Sequence, residues 1–251
     1  MMHDAPKPTE LYLDLMEKCL TGLIHEDPNQ SPWMSREFNL AARELGRDWP
    51  IIAHSMIGRT RMSHLRRSAE FVLQNGIPGD FVETGVWRGG ACIMMRAVLK
   101  AYGATDRRVW AADSFCGLPL PDTQKYPQDT NDQHYKFPEL SVPLEEVQSN
   151  FAKYDLLDDR VQFLKGWFKD TLPTAPIEQL AILRLDGDMY GSTMEALLAL
   201  FDKVSPGGFV IVDDFGNVPG CRQATLEFRT SRAIRDPIYN IDGFGVFWRK
   251  S

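Results

Sequence analysis

The sequence predicts an α/β fold: a seven-stranded mixed sheet with an antiparallel last strand, helices on both faces and an N-terminal helical extension. Three observations carry this reading. From Asp80 onward, short runs rich in Val, Ile and Phe alternate with segments of helical period, the pattern of a parallel sheet covered by helices. The last two runs are joined by only a few residues around Asp242-Gly243-Phe244, too few for a crossover, so they pair antiparallel. Ahead of Asp80 the apolar residues recur at helical rather than strand spacing.

Taken in order, residues 9–24 place Leu11, Leu15, Cys19 and Leu23 four apart, which predicts a helix with that stripe as its apolar face. Ser35, then REFNLAAREL, then Gly46 predicts a second helix with both caps. The strands follow as DFVETG (80–85), RVWAAD (108–113), RVQFLKG (160–166), LAILRLD (180–186), GGFVIVDD (207–214), PIYNID and GVFWRK. A helix from about Gly90 to Tyr102 stops at Gly103, and another spans Gly191 to Val204 before Pro206-Gly207-Gly208. Residues 117–142 hold four prolines with little period, too long for a passive connection and suited to an active-site loop.

Composition narrows the function. Lys plus Arg 28 against Asp plus Glu 34 gives a net charge of −6, which argues against an electrostatic grip on nucleic acid or an anionic membrane. Cys19, Cys92, Cys116 and Cys221 form no CxxC pair and no zinc-spaced cluster, and they read as buried thiols in a reducing compartment. No run approaches the ~20 apolar residues that span a bilayer. The opening MMHDAPKPTELYLDL lacks a basic, then apolar, leader, so a cytoplasmic location is expected.

The chemistry is expected at the carboxyl ends of the strands. The first strand runs through Glu83-Thr84-Gly85-Val86-Trp87-Arg88-Gly89-Gly90 straight into a helix, a turn that lets a ligand approach the helix N-terminus. Its spacing is not the G-x-G-x-x-G of a dinucleotide site, which disfavours a dehydrogenase. The second strand ends at Asp113, where a carboxylate can accept from both ribose hydroxyls. The fourth ends in Asp186-Gly187-Asp188 and the fifth in Asp213-Asp214. Four carboxylates facing one crevice repel one another unless a cation sits among them, and with no His/Cys cluster a hard, oxygen-bound ion such as Mg²⁺ is expected. His134, in the long loop, is the histidine best placed to titrate near neutrality as a general base. Trp33, Trp49 and Trp87, with Phe38-Asn39-Leu40, would line an acceptor pocket.

ETGVWRGGACI, VWAADSFCGLP, GWFKDTLPTAP, LRLDGDMYGSTM and SPGGFVIVDD, with ELYLDLMEKCL and AHSMIG before them, together resemble the macrocin O-methyltransferase family, over about Glu10 to Arg249. The resemblance implies a class I methyltransferase (Rossmann-like) fold, with residues 1–76 as helical extension and acceptor lid on the same domain and 77–251 binding S-adenosyl-L-methionine. It implies S-adenosylmethionine- and Mg²⁺-dependent methylation of a sugar hydroxyl in a glycoside. Carried over by motif, Glu83, Gly85, Trp87, Arg88 and Gly89, then Asp113, Ser114, Phe115 and Gly117, and Gly166 with Trp167, would line the cofactor site. Ser55, Met56 and Ile57 would close over it. Asp186, Asp213 and Asp214 would hold the metal, and Trp33, Trp49 and Tyr190 would meet the acceptor. Asp186, Asp188 and His134 all remain open as the proton acceptor. The family also implies a homodimer or larger homo-oligomer. The alternatives are a catechol-type O-methyltransferase and a non-catalytic cofactor-binding scaffold.

Overall fold

The run LAILRL is buried along its whole length, as a strand covered on both faces must be, and it forms β4 (Leu180–Leu185) near the middle of the sheet. The computed structural model describes residues 5–251; residues 1–4, placed above in the helical extension, lie outside the described residues. Helices α1 (Pro8–Leu20), α2 (Leu40–Glu44) and α3 (Gly58–Gln74) precede β1 (Asp80–Thr84), α4 (Gly90–Ala101), β2 (Val109–Asp113), α5 (Leu144–Lys153) and β3 (Val161–Lys165). After these come α6 (Phe168–Thr171), β4, α7 (Tyr190–Leu200), β5 (Val204–Val212), α8 (Pro219–Ser231), β6 (Tyr239–Asn240) and β7 (Val246–Arg249).

The strand order is β3-β2-β1-β4-β5-β7-β6, parallel except that β7 runs antiparallel to both β5 and β6. The order reverses between β1 and β4, so a crevice opens outside their carboxyl ends. Phe81 and Val82 show the two-residue alternation at work: one packs under α1, α3 and α4 with Leu13, Met62 and Ile93, the other under α7 and α8 with Leu197 and Phe228. β5 begins three residues before the predicted start. Its Ser205-Pro206-Gly207-Gly208 stretch bulges out between the pairs Leu180 with Val204 and Ile182 with Phe209, a place where Pro and Gly are tolerated in a strand.

The helical extension corrects two expectations. Leu11 and Leu15 of the spacing-four stripe are 57% and 52% exposed, and the buried face of α1 is Leu13, Met16, Glu17 and Leu20. Glu17 made that face look polar, but its carboxylate is matched by Ser63 Oγ at 2.6 Å and Arg66 at 3.2 Å. The second helix is only α2, capped by the Asn39 side chain on Ala42 N at 3.0 Å, not by Ser35. Of the four cysteines, Cys92 and Cys221 are buried, Cys19 is partly buried and Cys116 is exposed. No helix among the described residues is long and apolar enough to cross a membrane.

His64 on α3 packs against Phe247 at 4.4 Å, and burial, with Arg67 and Arg184 nearby, pushes its pKa down to about 4. A histidine held neutral in the fold but free to charge when unfolded stabilises fully above pH 6.5 and loses that contribution as pH falls toward 4. The slope is at most about 1.4 kcal/mol per pH unit. Glu83 and Asp113, whose pKa values burial raises, act in the opposite sense, so the effect is read as a difference. Between pH 6.5 and 4.5 the stability of the parent, measured by urea unfolding, should fall relative to a His64→Gln variant.

Candidate active site

The crevice is built from two halves. On the first, β1 runs into a turn where Gly85, at φ 89°, leaves no room for a Cβ, which would overlap the carbonyl oxygen of Asp186 at the end of β4. That close approach sets the two strand ends side by side. Asp113, ending β2, accepts from the N–H groups of Val86 and Phe115, both at 2.7 Å. These bonds lower its pKa, but burial outweighs them and raises it. Met56, Gly85, Trp87, Asp113, Ser114, Gly117, Gly166 and Trp167 line the cavity, so these predicted cofactor residues converge there from four segments of chain.

The remaining predicted cofactor residues do not line it. Glu83 is buried beneath, ion-paired to Arg184 and accepting from Cys92 Sγ at 3.0 Å. Arg88 points back to the carbonyls of Ile51 at 2.8 Å and Ala53 at 3.0 Å, tying the extension to the glycine turn. Gly89 turns the chain into α4 and faces Val147. Phe115 and Ile57 pack in the hydrophobic core, and Ser55 is buried, its N–H on Leu20 O at 3.0 Å. These residues hold the wall from behind.

On the second half, Asp186, Asp213 and Asp214 each present a carboxylate oxygen within 4.8 Å of the others. Two buried arginines reach this group. Arg184, in β4, meets Glu83, Asp186 at 2.6 Å and Asp213; Arg61, from α3, meets Asp213 and pairs with Asp242 at 3.0 Å. The cation inferred from repulsion is thus partly supplied by the protein itself. It is not enough: burial and then Asp213 push Asp186 up to about 7, and burial with Asp188, Asp186 and Asp213 lifts Asp214 well above the usual carboxylate range. Oxygen donors so short of positive charge fit a hard divalent ion.

Asp188 sits between the strand end and α7 at φ 55°, its N–H on Asp214 at 3.2 Å and its carboxylate lining the cavity. His134 Nε2 lies 3.8 Å from it, while Nδ1 bonds Asp132 at 2.8 Å. The Asp132 bond, helped by Asp188 and opposed by burial, pushes His134 up to about 9, so it does not titrate near neutrality and is charged at pH 7. The expectation of a neutral imidazole base is corrected on that ground. Tyr190 is also misplaced as an acceptor residue. As the first residue of α7 it turns away from the crevice, its hydroxyl donating to Glu227 on α8 at 2.6 Å. Trp33 and Trp49 stand outside the cavity, edge-to-face with each other at 4.7 Å.

Sequence reasoning missed Asp129, which fastens the long segment 117–142. Its buried carboxylate accepts from Tyr190 N at 2.8 Å and Gly191 N at 2.9 Å, capping α7 from a distance. A Cβ on Gly191 would crowd Asp129 and Tyr126, so the glycine makes the seat. Asp129→Ala leaves two helix N–H groups unmatched, a cost of about 2–3 kcal/mol. Hydrogen exchange across 117–142 should quicken in that variant, with Asp129→Asn, which keeps one acceptor oxygen, in between.

A sheet of this order, with an acid-ended β2 beside a glycine turn and an aspartate cluster at β4 and β5, defines a class I methyltransferase. The comparisons narrow the class: the family model described as macrocin-O-methyltransferase matches residues 23–250. The chain belongs to that family and is an S-adenosylmethionine-dependent O-methyltransferase. It is 53% identical over 242 residues to the 8-demethyl-8-(2,3-dimethoxy-alpha-L-rhamnosyl)-tetracenomycin-C 4'-O-methyltransferase of Streptomyces olivaceus, covering 96% of this chain and 92% of that one. It is 48% identical over 247 residues to the mycinamicin III 3''-O-methyltransferase of Micromonospora griseorubida, covering 96% and 97%. The solved O-methyltransferase NovP superposes with a TM-score of 0.93 at 50% identity, covering 97% of this chain and 99% of that one.

Proposed function

We propose that the chain methylates a sugar hydroxyl of a glycoside, with Mg²⁺ held by Asp186, Asp213 and Asp214. The observation that carries this is the cluster of those three carboxylates, whose Asp186 lines, with Asp188, the cavity that Gly85, Trp87, Asp113 and Gly166 also line. The relative named for 4'-O-methylation of a rhamnosyl-tetracenomycin supports the sugar.

S-adenosylmethionine supplies a methyl group on a sulfonium leaving group, so the protein's task is alignment and deprotonation. Asp113, with both oxygens anchored by backbone N–H groups, would hold the ribose, and Gly166 and Trp167 would flank the adenine. A divalent ion supplies Lewis acidity that makes a neighbouring hydroxyl easier to deprotonate. Asp188 takes the hydroxyl proton: it lines the cavity and stands beside the metal carboxylates without being committed to an arginine. His134, held as a cation by Asp132, keeps Asp188 turned toward the acceptor and stabilises its anionic form. Residues 117–142, pinned by Asp129 and by Trp87 Nε1 on Glu139 O at 2.8 Å, shield the crevice from water.

The acceptor is tested by methyl transfer from labelled S-adenosylmethionine to rhamnosides, mannosides, macrolide glycosides and catechols. Labelling of a glycoside and not of the catechols is expected. Labelling confined to catechols would overturn the sugar assignment.

A further inference from the structure

Resting on the glycoside reading, we propose that Trp33 and Phe137 form a stacking subsite for a planar, uncharged aromatic aglycone, outward of Asp188. Trp33 is 54% exposed, yet its ring is fixed: Nε1 donates to Arg47 O at 3.2 Å and the indole meets Trp49 edge-to-face at 4.7 Å. A large aromatic held in one orientation with a face open to solvent loses little entropy when a flat ligand stacks on it.

Trp49 is the buttress. It is buried but belongs to neither hydrophobic core of the domain, and its other neighbour is Phe137, edge-to-face at 5.4 Å. Phe137 in turn lies 6.4 Å from His134, whose Nε2 is 3.8 Å from Asp188. The rings thus lead step by step from the reactive carboxylates to the exposed indole, joining the helical extension to the 117–142 segment. Trp33 and Trp49 make no contribution to either core, so their pairing serves this surface. Asp132 and Asp188 outnumber the His134 cation between them, which disfavours an anionic aglycone, and exposed π faces favour a flat conjugated ring over a puckered aliphatic one.

The test uses glycosides that share one sugar and differ in the aglycone: methyl, naphthyl and macrolide. Methyl-transfer kinetics and calorimetric binding to the S-adenosylhomocysteine complex are measured for the parent and for Trp33→Ala, Trp33→Phe and Phe137→Leu. The parent should favour the naphthyl glycoside over the methyl glycoside. Trp33→Ala should erode that preference about tenfold, in KM rather than kcat, with Trp33→Phe restoring most of it. An equal rise in KM for methyl and naphthyl glycosides in Trp33→Ala would overturn the subsite, as would tighter binding of the macrolide glycoside by the parent. Trp33-dependent binding of the naphthyl glycoside without methyl transfer would uphold the subsite and overturn the catalytic reading instead.

Discussion

Asp214→Asn should lower kcat by about 10³-fold or more while leaving the fold and the affinity for S-adenosylmethionine intact. The size follows from losing one of three charged oxygen donors to an ion whose Lewis acidity is worth several kcal/mol at the reacting hydroxyl. Of the three proposed ligands Asp214 is the one to change, because its side chain makes one protein hydrogen bond, from Asp188 N, which the asparagine oxygen still accepts. Burial and its acidic neighbours hold its pKa high, so replacing it with a neutral amide relieves repulsion in the metal-free protein. The melting temperature without metal should therefore not fall. Asp213 is a poor choice for the same test. It is shared by Arg61 and Arg184, and removing it takes a carboxylate from each of two buried guanidinium groups, so a loss of fold would mix with a loss of metal. Calorimetric titration of Mg²⁺ into Asp214→Asn, with thermal unfolding alongside, separates loss of metal from loss of fold.

Asp188→Asn should cost about 10²–10⁴ in kcat, the usual worth of a positioned general base. Asparagine tolerates the left-handed backbone that Asp188 adopts, so the turn into α7 is kept. The amide cannot take the hydroxyl proton, and it leaves His134 with Asp132 alone. His134→Gln should cost less, because that residue orients and charges Asp188 rather than receiving the proton first. If His134 were the base, the order of the two variants would be reversed. Single-turnover methyl transfer at saturating S-adenosylmethionine reads the difference without interference from product release.

The strands were legible because a parallel sheet buries both faces, and runs such as FVET, VWAAD and LAILRL have no other use in a chain of this charge. The carboxylate cluster was legible for the same reason: strand ends in this topology share one edge. What sequence could not show was who answers the charge. Arg184 in the middle of an apolar strand was a signal, since a buried guanidinium demands carboxylates on neighbouring strands, and Glu83 and Asp213 supply them. Arg61 carried no such signal, lying in a helix with three other arginines within ten residues. Asp129 caps a helix sixty residues away in sequence, a contact no local cap pattern encodes. Tyr190 stands two residues beyond the DGD motif, yet helix geometry turns it toward α8.

The most direct measurement is transfer of label from S-adenosylmethionine to a rhamnoside after treatment with EDTA and again after excess Mg²⁺, with cofactor binding followed by calorimetry in each state. The account predicts that transfer is lost with the chelator and restored by Mg²⁺, while cofactor affinity changes by less than about twofold, since the two halves of the crevice are built from different strand ends. Undiminished transfer after complete metal removal would contradict it.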